Sequence, residues 1–138
     1  MGSHGVPPFF SGKTNTPDTL SVIDTFTATT GTTFTRTGLN FGANVPGRVI
    51  IVTEGVASAV TQKISSVTIG GTTATMAQDC TSGAVGTEGC GIYYAVVSGT
   101  TGQTIVVTYT ASVAPLFSYA AYRLIANSSI PTGGTTNP

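Results

Sequence analysis

The side chains best able to do chemistry are few in this chain, and they lie far apart. The one histidine is His4. A Ser-His-Asp or Cys-His site needs its imidazole held against a nucleophile on a rigid scaffold. His4 instead sits in an irregular stretch of glycines and prolines. Asp79 and Glu88 share a Gly-rich loop with Cys80 and Cys90. Paired carboxylates hydrolyse glycosides when held about 5 Å or about 6.5–9.5 Å apart. They also contribute to Ca²⁺ sites, which take about six to eight oxygens. Neither the spacing nor a neighbouring acid supports either chemistry here, and two solvated loop carboxylates are the simpler account.

Cys80 and Cys90 flank Thr81-Ser82-Gly83-Ala84-Val85-Gly86-Thr87-Glu88-Gly89 and could close that loop as a disulfide. In the chain-entropy view such a bridge is worth about 3 kcal/mol. Two free thiols, buried as small apolar side chains, are the alternative. A zinc site would need further ligands, and none is at hand. Tyr93, Tyr94, Tyr109, Tyr119 and Tyr122 fall on predicted strands. Facing outward they could stack on sugars; facing inward they fill a core or a subunit interface, with their hydroxyls reaching the rim. Their alternation favours the second. Together these residues predict no enzyme, no metal and no cofactor.

The elements that must position these side chains are read from composition and pattern. The chain has 138 residues, the size of one ordinary domain, and only 7% are charged. Thr and Gly take the place of charge, and their preference for strands and turns argues an all-β fold. Formal net charge is zero, with Lys13, Lys63, Arg36, Arg48 and Arg123 scattered along the chain. Nucleic-acid binding needs a basic face to neutralise phosphates, and no such cluster is present. No run is long and apolar enough for a membrane-spanning helix. Met1 to Phe10 lacks the basic start and apolar stretch of a secretory signal. A surface with so little charge repulsion is expected to be covered in part by a partner.

Residues 1–18 read as an extended arm, with Pro and Gly throughout and an apolar centre at Val6, Pro7, Pro8, Phe9 and Phe10. A disordered tail avoids aromatics, so this segment is expected to dock, either on a neighbouring subunit or back on its own domain. Strands are predicted over Thr19–Ala28 (Leu20, Val22 and Asp24 on one face), Thr32–Leu39, Arg48–Thr53, Ile92–Val97, Gln103–Ala111 and Leu116–Ala126. Arg48-Val49-Ile50-Ile51-Val52-Thr53 is a continuous apolar run, the mark of a strand covered on both faces. Lys63 to Ala77 is two alternating runs joined at Gly70-Gly71, a strong hairpin signal because a primed two-residue turn needs positive φ at both positions. Asn40–Gly47, Glu54–Gln62 and Gln78–Gly91 read as loops, and residues 127–138 as a flexible tail. About eight short strands between residues 19 and 126 predict a single two-sheet β-sandwich, of jelly-roll type or immunoglobulin-like.

The order of these segments carries a resemblance. Arg48-Val49-Ile50-Ile51-Val52, Ile64-Ser65-Ser66-Val67-Thr68-Ile69-Gly70-Gly71-Thr72-Thr73-Ala74-Thr75, Ile92-Tyr93-Tyr94-Ala95-Val96-Val97, Gln103-Thr104-Ile105-Val106-Val107-Thr108-Tyr109 and Ala120-Ala121-Tyr122-Arg123-Leu124 follow one another. This succession resembles small β-sandwich virion proteins of tailed bacteriophages, with Ser-Ser-Val-Thr-Ile-Gly-Gly its most distinctive piece. It covers residues 34–125 and leaves out the cysteine loop and the Pro-Pro-Phe-Phe arm. Modules of tail fibres and bacterial surface proteins use similar strand grammar. The resemblance implies a structural component without a catalytic motif: a capsid decoration (cement) protein on the outer surface of the head. Its partner would be the major capsid protein, bridged by a homotrimer whose arms reach neighbouring subunits. A tail or fibre-tip module binding a host glycan or surface protein, and a bacterial surface adhesion module, are the alternatives.

Overall fold

A computed structural model describes residues 18–58, 64–79, 88–113 and 115–126. All the regular structure in these residues is β. The nine strands are β1 (Thr19–Ala28), β2 (Gly31–Leu39), β3 (Arg48–Ser58), β4 (Ile64–Ile69), β5 (Thr72–Thr73), β6 (Thr75–Asp79), β7 (Glu88–Ala95), β8 (Gln103–Val113) and β9 (Pro115–Ile125). They form two antiparallel sheets, one in the order β1-β9-β3-β7-β6 and the other β2-β8-β4-β5. The arm residues 1–17, the tail 127–138 and Cys80 lie outside the described residues.

The sheets pack face to face because each strand places alternate apolar side chains inward. In β8 these are Ile105, Val107 and Tyr109, all buried, as the alternation predicts. In β3 they are Ile50, Val52 and Val56, and in β9 Phe117, Tyr119 and Ala121. Phe34 of β2 stacks on Phe117 at 4.1 Å and 7°. Tyr109 meets Phe117 edge-on at 5.8 Å and 83°, the arrangement that aromatic quadrupoles favour. This aromatic cluster joins the two sheets.

At Gly70-Gly71 both residues have positive φ, 56° and 78°, and Ile69 pairs with Thr72 across the turn. The hairpin is therefore as read, but its second arm is not one strand. It breaks at Ala74, whose N–H donates to the Val67 carbonyl at 2.9 Å. β5 stays beside β4, while β6 crosses to the other sheet and pairs with β7. This crossing raises the count from the expected eight to nine.

Three other expectations are corrected. Glu54–Ser58, read as loop, continues β3, which is flanked by partners on both sides from Ile50↔Ala95 and Ile50↔Arg123 onward. Gln78–Asp79 and Glu88–Gly91, the two ends of the stretch read as loop, instead close β6 and open β7. Glycines and acids lower strand propensity, but pairing with neighbouring strands outweighs it. Asp24 does not share a face with Leu20 and Val22. The register slips between Val22 and Asp24, so Ile23 is an extra residue and Asp24 turns inward opposite Ala121.

Candidate functional site

The chain's few polar devices are built into the sandwich. Arg48 opens β3 pointing inward and is 2% exposed. Its Nη1 donates to the carbonyls of Gly42 (2.7 Å) and Phe41 (3.4 Å), and its Nη2 to those of Gly99 (2.9 Å) and Val97. One guanidinium thus ties the 40–47 connection to the chain after β7. Nε has no partner, and burial, followed by the nearby Arg123 charge, lowers the affinity of this guanidinium for its proton.

Glu54, also inward on β3, accepts a hydrogen bond from the Tyr109 hydroxyl. Gly91 opposite it leaves the room: a Cβ there would lie 2.9 Å from Oε1 of Glu54 and 2.6 Å from the Tyr93 ring. Burial and the Glu54 carboxylate push the Tyr109 phenol far above its usual range. At the open edge between the sheets Arg36 of β2 forks onto Asp24 of β1, at 2.7 and 3.1 Å, and lies 4.8 Å over the Phe26 ring. That guanidinium holds the Asp24 carboxyl below its ordinary value. Among the described residues no three His, Cys, Asp or Glu side chains gather.

The outer face of the five-stranded sheet is different in character. Alternation along β1, β9, β3 and β7 leaves two apolar rows on it. Val22, Tyr122, Ile51 and Tyr94 lie side by side in register, and Leu20, Leu124 and Val49 form the row next to them. Neither row contains a charged residue. Val49 is nearly buried at 3%, Ile51, Tyr94, Tyr122 and Leu124 are half-buried, and Leu20 (61%), Val22 (65%) and Val96 (64%) are open to solvent. Ile92, on the same face of β7, is 40% exposed. Beyond the rows the side chains shrink. Thr53, Gly55, Ser118 and Ala120 line a shallow depression on β3 and β9.

An antiparallel sheet that faces water presents polar residues outward. This one presents Val, Ile, Leu and Tyr, and contiguous apolar surface of that kind marks an interaction site. The sheet edges are unlike this. β1, β2 and β6 each carry an irregularity in register, and β5 is two residues long. Bulged and very short edge strands resist strand addition, so a partner meets the face more readily than an edge.

The five tyrosines divide accordingly. Tyr93, Tyr109 and Tyr119 belong to the core, and Tyr94 and Tyr122 to the outer face. Cys90 is exposed on that face of β7 and is disulfide-bonded. Val6, Pro7, Pro8, Phe9 and Phe10 lie outside the described residues. The rows on the outer face were not legible as a site, because Leu20, Val22, Ile51, Tyr94 and Tyr122 come from four separate strands. The double-sided run at Arg48–Thr53 was the one local signal. Compared with protein-family models, with curated proteins and with solved structures, the chain has no match.

Proposed function

We propose that this chain is a structural component of a bacteriophage virion, a decoration protein that seats on the major capsid protein and bridges its subunits as a homotrimer. The observation that carries the reading is the pair of charge-free apolar rows on the outer face, with Leu20, Val22 and the neighbouring Val96 more than half exposed. A face of this kind is suited to being covered in an assembly rather than to remaining in water. Bridging then acts mechanically, holding adjacent capsomers against internal pressure.

The strand order supports a jelly roll beneath that function. If β5 and β6 are one strand interrupted at Ala74, eight strands remain, and each sheet alternates early with late strands: β1-β9-β3-β7 and β2-β8-β4-β5. An immunoglobulin-like order would place the first two strands side by side in one sheet, whereas β1 and β2 lie in different sheets. Jelly rolls recur in capsid and lectin domains, and that is an analogy of fold only.

A second reading, a fibre-tip module that binds a host glycan, draws on Tyr94 and Tyr122 beside the shallow depression, since aromatic faces stack on sugar rings. One experiment separates the two. Tagged protein is mixed with expanded heads and with whole particles of the phage that encodes it, and the bound density is imaged. Decoration predicts density on the head lattice. Density confined to the tail tip, or no binding to heads, overturns it.

A further inference from the structure

The outer face of the five-stranded sheet also bears on the free protein, before any partner is met. We infer that in the free protein this face is covered by the chain's own segment Val6-Pro7-Pro8-Phe9-Phe10. The inference concerns the isolated molecule and stands whether or not the eventual partner is a capsid.

Position and length carry it. Asp18 directly precedes β1, and Leu20 and Val22 of β1 form one margin of the apolar rows. Phe10 is eight residues before Asp18. Eight residues extend about 26–29 Å. Crossing from β1 over β9 and β3 to β7 is three strand spacings, about 14 Å. The segment therefore reaches every strand of the apolar rows with slack.

Chemistry selects the face over the edge. Pro7, Pro8 and Pro17 have no N–H to give to a ladder. The edge offered by β1 is broken at Val22/Asp24. A Pro-Pro-Phe-Phe sequence instead offers two large rings and few backbone donors, which suits binding across an apolar surface rather than pairing with a strand. Tethering selects the chain's own segment over a neighbour's. A short covalent tether gives an effective concentration of order millimolar, above the concentration of any neighbour in dilute solution.

The chain has no tryptophan, so Phe10→Trp in the full-length protein is a clean reporter. Its emission should be blue-shifted and its acrylamide quenching several-fold weaker than in a peptide of residues 5–17 with the same substitution. Adding Val22→Lys or Val96→Lys, both at positions more than 60% exposed, should restore peptide-like quenching while the far-ultraviolet circular dichroism is unchanged. Thr27→Lys is exposed on the same face of β1 but outside the apolar rows, and should leave the quenching as it was. Peptide-like quenching in Phe10→Trp alone overturns the inference, as does equal release by Thr27→Lys. Protection that is lost on dilution from roughly 100 µM to roughly 1 µM overturns docking within one chain.

Discussion

Replacing Arg48 with Met tests whether a buried guanidinium, rather than apolar packing, closes one end of the sandwich. Met keeps the length and much of the volume of the side chain and removes all its donors. Four carbonyls then lose their partner, those of Phe41, Gly42, Val97 and Gly99. The bonds to Phe41 and Val97 are buried, so water cannot replace them, whereas those to Gly42 and Gly99 are only partly buried. A hydrogen bond from a charged donor contributes about 1.5–3 kcal/mol net, so the two buried ones account for about 3–6 kcal/mol. Removing the unpartnered Nε–H returns about 1–3 kcal/mol. Subtracting the lower from the lower and the upper from the upper of these ranges, the expected loss is about 2–3 kcal/mol, which at a urea slope near 2 kcal/mol/M lowers the unfolding midpoint by about 1–1.5 M. Arg48→Lys keeps the charge and three donors at a single point, and should fall between Met and wild type. Urea melts followed by tyrosine fluorescence read all three proteins. A Met variant within about 0.3 M of wild type would refute the carbonyl cage. So would a Lys variant less stable than Met, because desolvation of the charge would then outweigh the bonds it makes.

Two further substitutions probe the turn and the open edge. Gly70→Ala should cost more than Gly71→Ala by thermal melting. Both residues need positive φ, at about 1–2 kcal/mol each for a side chain, but a Cβ at Gly70 also meets the Gln103 Oε1 at 3.0 Å, while nothing lies within 4 Å of one at Gly71. At the Asp24–Arg36 pair the folded carboxyl has the lower pKa, so its stabilisation is present above the unfolded value of 3.8 and is lost as pH falls through the folded one. Asp24→Asn should therefore be less stable than wild type in urea at pH 6, and the gap should narrow as the pH is taken down through 4 and below. A gap that persists unchanged at acid pH would show that the carboxylate's charge is not its source.

Much of this architecture is local and could be read directly. The Gly70-Gly71 turn needs only two adjacent residues free to take positive φ. The strands β4 and β8 announce themselves by alternation, since Val67, Ile105, Val107 and Tyr109 are each spaced to face one side. The all-β class follows from Thr and Gly in place of charge. What the pattern could not supply is whatever depends on a partner strand. Glu54–Ser58 and Glu88–Gly91 become strand because β3 is laddered on both sides. Ile23 is squeezed out as a bulge because β1 must match β9, and that turns Asp24 inward to meet Arg36. Ala74 parts one strand into two because its halves find different sheets.

The candidate site divides in the same way. An apolar double-sided run at Arg48–Thr53 says that both faces of a strand want cover, because side chains of both parities avoid water. It cannot say that Val22, Tyr122, Ile51 and Tyr94 lie in one row, since β1, β9, β3 and β7 are ordered by long-range pairing rather than by chain order. Residue type and period 2 therefore determined the strands, the turn and the apolar character of the faces. Register and strand order, which are non-local, decided which residues share the exposed face and which polar groups are locked inside.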